Sequence, residues 1–184
     1  MKKPAKSDPK KRKGLIIVNT GDGKGKSTAS FGLALRAAGN KMNVFIMQFM
    51  KGPWKAGERK ALNKLTNYIE YEAMGDGFTW DTENPEEDQK TARAAFNIAK
   101  EKLMSRKYQM VILDEINYVL DYKFFPLDEF LETLRNKPKD VHVVCTGRNA
   151  QEKLIELADL VTEMKLIKHP YDDQGIPAQK GIEF

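Results

Sequence analysis

The chain has 184 residues, 41% of them hydrophobic and 31% charged, which is enough for one α/β core and too little for two ordinary domains. No apolar run approaches the roughly 18 residues of a membrane span, and no hydrophobic leader with a cleavage site opens the sequence, so neither a membrane protein nor an exported one is expected. The net charge of +5 is unevenly placed: residues 1–13 carry seven basic side chains against Asp8, whereas the remainder holds 24 basic and 25 acidic residues. We therefore expect a basic arm over 1–13 and one nearly neutral domain over 14–184, which argues against a cationic nucleic-acid channel.

Leu15-Ile16-Ile17-Val18 is a continuous apolar run ended by a glycine cluster, as for a strand buried on both faces of a parallel sheet. Lys26 to Ala38 has helical spacing, with Phe31, Leu35 and Ala38 on one side and Gly39-Asn40 as its stop. Val44 to Phe49 is a second strand, followed by the loop Lys51-Gly52-Pro53-Trp54, a short helix near Glu58 to Leu65 and a third strand near Tyr68 to Glu72. Asn84-Pro85-Glu86-Glu87 predicts a helix start, with Asn84 as cap and the helix running to about Lys107. Met110 to Leu113 is a fourth strand. A helix over Leu127 to Arg135, a strand over Val141 to Cys145, a helix over Ala150 to Ala158 and a last strand over Val161 to Ile167 follow. The repeated β-then-α order predicts a mainly parallel sheet of about six strands with helices on both faces. The lone Cys145, between Val144 and Thr146, reads as a buried strand residue and suits a reducing cytoplasm.

Chemistry concentrates between the first strand and the first helix, in Thr20-Gly21-Asp22-Gly23-Lys24-Gly25-Lys26-Ser27-Thr28. Small residues let backbone N–H groups converge on an anion, the helix N-terminus adds a positive dipole end, Lys26 supplies a mobile charge, and the Ser27 hydroxyl suits magnesium. Asp114-Glu115 ends the fourth strand and faces the same sheet edge, where ligands of open parallel sheets collect. Asp114 is the expected metal group, directly or through water. Glu115 either orients a water, as in a hydrolase, or helps to hold the metal. Thr146-Gly147-Arg148 reaches that edge from the next strand, where Arg148 either neutralises part of a triphosphate or is a solvated loop arginine. His142 reads as structural, and the spacing leaves the role of His169 open. In Gly75-Asp76-Gly77-Phe78-Thr79-Trp80, Phe78 and Trp80 are either core or a wall for a large flat ligand.

The ordered set of these segments resembles the P-loop type of ATP:corrinoid adenosyltransferase. Besides the phosphate loop, the resemblance rests on Gln48-Phe49-Met50-Lys51-Gly52, Gly77-Phe78-Thr79-Trp80, Leu113-Asp114-Glu115 and Thr146-Gly147-Arg148. Downstream it adds Ala158 to Met164, Lys168-His169-Pro170 and Ala178 to Phe184. It implies a recombinase-like P-loop NTPase fold and transfer of the 5′-deoxyadenosyl group of ATP to the cobalt(I) of a corrinoid, with inorganic triphosphate released. It further implies Mg2+ or Mn2+ with ATP, a flavodoxin-like or other flavin reductant, a homodimer, and Phe78 and Trp80 on the lower face of the corrinoid. The residue inventory agrees, because cobalt(I) needs no general base and the sequence offers no nucleophile paired with one. The competing readings are a recombinase-like ATPase acting on nucleic acid and a non-enzymatic nucleotide or corrinoid carrier.

Overall fold

The computed structural model describes residues 13–49, 57–62, 64, 67–74 and 85–183. Six strands form one sheet in the order β3-β2-β4-β5-β1-β6. They are β1 (Ile16–Thr20), β2 (Val44–Gln48), β3 (Ile69–Ala73), β4 (Met110–Asp114), β5 (His142–Thr146) and β6 (Leu160–Glu163). All five neighbouring pairs are parallel, so the sheet is wholly rather than mainly parallel. This is the α/β architecture of P-loop NTPases, as the alternation of elements predicts.

Because successive strand side chains alternate in direction, each apolar run feeds two cores at once. Ile16, Val18, Phe45, Met47, Val111, Leu113, Val143 and Cys145 join the core cluster that includes α3 (Pro85–Met104), α4 (Ile116–Asp121), α5 (Leu127–Arg135) and α6 (Glu152–Leu157). Ile17, Val44, Ile46, Ile69, Met110, Ile112 and Val144 pack on the other side with Phe31, Ala34 and Ala37 of α1 (Lys26–Gly39) and Leu62 of α2 (Gly57–Leu62). The two-sided burial predicted for the first strand therefore holds and extends to β2 and β4, and the glycine-rich loop after β1 leads into the helix that covers the second face.

Four departures from the sequence reading have local causes. The third helix stops at Met104 instead of Lys107, because Arg106 takes a left-handed conformation (φ 58°) and turns the chain toward β4. The unexpected α4 follows Glu115, whose left-handed backbone (φ 64°) converts strand to helix in one residue. Six residues are too few for a helix stable by itself, but Ile116, Val119 and Leu120 are buried, each stabilising by about 1.5–3 kcal/mol. The last strand ends at Glu163, not Ile167, because Met164 leaves the sheet to lie against the phosphate loop, its carbonyl accepting the Gly23 N–H at 2.6 Å. A short α7 (Pro170–Gln174) then forms, with Pro170 at its first position and Gly175 (φ 64°) at its end.

Candidate functional site

The loop from Thr20 to Lys26 is fixed from both sides before any ligand is considered. Asn19 Nδ2 donates to Ser30 Oγ (3.0 Å), which donates to the Lys26 carbonyl (3.0 Å), tying β1 to the first turn of α1. Gly21 has φ 92°, and a Cβ there would stand 2.6 Å from the Met164 carbonyl oxygen, so the position requires glycine on both counts. The Lys26 ammonium lies buried on the loop, donating to the carbonyls of Gly21 and Gly23 at 2.8 Å each. Burial pushes the pKa of Lys26 down, opposed in part by the nearby Glu115 carboxylate. Ser27 is half-buried in the same turn and Thr28 is exposed. Asp22 pairs with Arg148 at 3.8 Å, and Lys24 pairs with Glu183 of the chain end at 2.5 Å.

Opposite the loop, the carboxyl ends of β2, β4 and β5 carry polar groups where their strands are otherwise apolar. Asp114 is fully buried, accepting from Gln48 Nε2 on Oδ2 (2.6 Å) and from Thr146 Oγ1 on Oδ1 (2.7 Å). Thr146 Oγ1 in turn accepts the Glu115 N–H at 2.8 Å. Gly147 follows at φ 125°, its carbonyl held by Asn117 Nδ2 at 2.9 Å, and this turn carries Arg148 out to Asp22. The structure thus brings Lys26, Asp22, Glu115 and Arg148 within electrostatic reach of one another. Among the described residues no group of three or more His, Cys, Asp or Glu could hold a metal by itself. The groups at this edge that could meet a magnesium ion are the half-buried Ser27 hydroxyl and the Asp114 and Glu115 carboxylates, oxygen ligands of the type Mg2+ takes one or two of while filling its shell with substrate phosphate and water.

Beside the loop, a cavity of about 680 Å³ is lined by Asp22, Lys24, Arg148, Met164, His169 and Asp172, among others. His169 caps α7, its Nδ1 3.5 Å from Asp172 and its N–H donating to Asp173 Oδ2 at 2.7 Å. His142 has the structural place expected of it, accepting the Leu15 N–H on Nδ1 at 3.1 Å. Burial pushes the Cys145 thiol up to about 12, which keeps it an inert core residue. Phe78 and Trp80 lie outside the described residues, as do Met50 to Trp54 and the cap Asn84. The sequence reading assigned no task to Tyr71, to Asn117, or to Gln48 and Thr146 within their motifs. The available signal was a polar residue closing an apolar strand, after Val44-Phe45-Ile46-Met47 and after Val143-Val144-Cys145.

Residues 12–184 match the family described as ATP:corrinoid adenosyltransferase BtuR/CobO/CobP. The chain belongs to the ATP:corrinoid adenosyltransferase family. A corrinoid adenosyltransferase of a Sinorhizobium species is 48% identical over 174 residues, covering 94% of this chain and 81% of that protein. The corrinoid adenosyltransferase of Escherichia coli K12 is 42% identical over 172 residues, covering 94% and 86%. That of Salmonella typhimurium LT2 is 41% identical over 172 residues, with the same coverage of 94% and 86%. The activity of the family, adenosyl transfer to a corrinoid with ATP as co-substrate, is accordingly that of this adenosyltransferase. No helix among the described residues is long and apolar enough to cross a membrane.

Proposed function

We propose that this adenosyltransferase takes cobalt(I) corrinoids, with cobalamin, cobinamide and cobyrinic acid a,c-diamide as the candidate substrates, and releases inorganic triphosphate. The cobalt(I) electron pair forms a bond to C5′ of ATP while the C5′–O bond breaks, and its electron pair leaves on the triphosphate. The observation that carries this reading is the buried Lys26 ammonium bedded on loop carbonyls, facing acidic strand ends, in a chain that matches the family over residues 12–184.

The loop N–H groups over residues 21–28, other than that of Gly23, which the Met164 carbonyl holds, and the Lys26 ammonium bind the polyphosphate, which replaces the Gly21 and Gly23 carbonyls as partner of Nζ. Arg148, exposed and loosely paired with Asp22, swings to the leaving triphosphate, whose charge rises in the transition state. Magnesium, when bound, neutralises phosphate charge. Ser27 would hold it directly, Asp114 through a water because its carboxylate is buried under two hydrogen bonds, and Glu115 would assist. No residue is asked to move a proton, since the attacking metal carries none. The protein's task is to position C5′ and to receive developing charge.

The same proposal places Phe78 and Trp80 against the lower face of the corrinoid, where they exclude an axial ligand and ease reduction of cobalt(II) by a flavodoxin-like or other flavin donor. It also includes a homodimer working in the cytoplasm. Incubation with Mg2+, ATP and chemically reduced cob(I)alamin should yield adenosylcobalamin and intact triphosphate in equal amounts; ADP and phosphate without alkylated corrinoid would identify an ATPase instead. Phe78→Ala and Trp80→Ala should slow turnover from cobalt(II) with a weak reductant far more than turnover from preformed cobalt(I). Equal losses in both assays would assign the aromatics to pocket construction alone.

A further inference from the structure

A chain of hydrogen bonds crosses four strands, from the middle of β3 to the ends of β2, β4 and β5, and its direction is set at every link. The Tyr71 hydroxyl donates to Gln48 Oε1, and Gln48 Nε2 donates to Asp114 Oδ2 at 2.6 Å. From the other side the Glu115 N–H donates to Thr146 Oγ1 at 2.8 Å, and the Thr146 hydroxyl donates to Asp114 Oδ1 at 2.7 Å. A carboxylate only accepts, so Gln48 must turn its NH2 to Asp114 and its oxygen to Tyr71. Donors from β2 and β5 therefore converge on one carboxylate of β4, and Tyr71 of β3 holds the β2 donor from behind.

Strand alternation places all of these side chains on one face. Tyr71 follows Ile69, Gln48 follows Val44 and Ile46, Asp114 follows Met110 and Ile112, and Thr146 follows Val144, which are the apolar rows packed with α1. That is the face whose covering helix begins at Lys26. Gln48 is 2% exposed and Asp114 and Thr146 are both 0% exposed. Burying such groups is costly unless every hydrogen bond is made, and an apolar set of similar volume would stabilise a sheet at least as well. A converging polar set at the ligand edge therefore serves the site more than the fold.

We propose that Gln48 is a positioning residue: held by Tyr71, it fixes the orientation of the Asp114 carboxylate toward the metal–nucleotide complex. Backbone links extend its reach, since the Gln48 carbonyl accepts the Met74 N–H at 3.1 Å and the Asp114 carbonyl accepts the Phe49 N–H at 2.9 Å. Gln48 thereby joins the metal-facing strand end to the chain just before the segment that carries Phe78 and Trp80. The inference rests on the reading of Asp114 given above, and its test keeps the two apart.

The affinity of the full-length protein for Mn2+ with ATP, without corrinoid, is measured by titration calorimetry alongside the melting temperature. Gln48→Met removes the donor at similar volume and should weaken binding about tenfold, the effect of losing a hydrogen bond to a charged group. Gln48→Glu preserves shape but sets a carboxylate against Asp114, and should bind more weakly still. Tyr71→Phe frees the carboxamide without touching Asp114 and should cost about two- to fivefold with the fold intact. A packing role predicts the opposite order, with the isosteric Gln48→Glu variant closest to wild type, and that order would overturn the proposal. So would wild-type affinity in Tyr71→Phe, which decides the matter if the Gln48 variants do not fold. Asp114→Asn serves as the control: unchanged binding there refutes the role of Asp114 itself, whereas weakened binding there with normal Gln48→Met refutes only the positioning role.

Discussion

Two charged regions of this molecule use similar groups to opposite ends. At the phosphate loop, the Lys26 ammonium is buried and rests on neutral carbonyls, with Glu115 near enough to be felt. On the outer side of the sheet, Glu70 of β3 accepts from Lys102, Lys107 and Tyr108 together, and Lys102 lies over the Phe45 ring at 5.3 Å while Lys107 lies over Tyr108 at 5.0 Å. The second cluster is electrostatically complete and half in solvent, so it holds the edge strand to α3 and has little left to offer a ligand. In the first, the buried ammonium is held by neutral carbonyls and by no carboxylate among the described residues, and the proposed function has an incoming polyphosphate supply the opposite charge. Completeness of pairing, more than the number of charges, distinguishes a stabilising cluster from a binding one.

The sharpest way to break that contrast is Lys26→Ala. Loss of a charge-assisted phosphate contact of about 1.5–3 kcal/mol should lower kcat/KM for ATP roughly tenfold to hundredfold. The buried charge also sets a pH dependence. Because burial holds the pKa of Lys26 below its ordinary 10.5, ATP affinity should weaken as pH rises through that lowered value, and binding should take up protons in the alkaline range. Isothermal titration in two buffers of different ionisation enthalpy reads the proton uptake; its absence, with Lys26→Ala behaving as wild type, would return Lys26 to a structural role.

Next in size is Gly147→Ala. The new Cβ would stand 2.9 Å from Asn117 Cβ and 3.2 Å from Glu115 Oε2, at a backbone φ of 125° that side chains rarely adopt. We expect a loss of about 1–3 kcal/mol in denaturant unfolding, with Arg148 displaced and the KM for ATP raised.

The smallest effect belongs to the completed cluster. Its hydrogen bonds from Lys102 and Tyr108 hold the Glu70 carboxyl down to about 2, from 4.5. A carboxyl depressed in the folded state stabilises above its unfolded pKa, and this contribution disappears as pH falls through the folded value. Solvent screening of a partly exposed group limits it to about 0.2–1 kcal/mol. Glu70→Gln should therefore be slightly less stable than wild type at pH 6, converge with it as the pH approaches 2, and leave ATP kinetics unchanged. A large kinetic effect would mean that the two regions are not separate.

The sequence determined the order of elements, because apolar runs closed by Gly-rich or acidic turns alternate with helical spacing and admit little but a parallel sheet. It also placed the glycine-rich turn between β1 and α1, since local backbone freedom and the helical spacing that follows suffice to mark one. The helix after Glu115 was not legible, because a six-residue helix has no propensity to declare itself and forms only when Ile116, Val119 and Leu120 find the core. Nor was the path of Met164 over Gly21 and Gly23, which depends on β6 lying beside β1. Gln48, Tyr71, Asp114 and Thr146 show the division most clearly. Gln48, Asp114 and Thr146 are each visible as a polar residue closing an apolar strand, whereas Tyr71 sits in the apolar row of an alternating one, and the four are scattered between positions 48 and 146 of the chain. Only the strand order β3-β2-β4-β5 brings them side by side, because hydrogen bonds reach about 3 Å and the sheet alone decides which strand ends come that close.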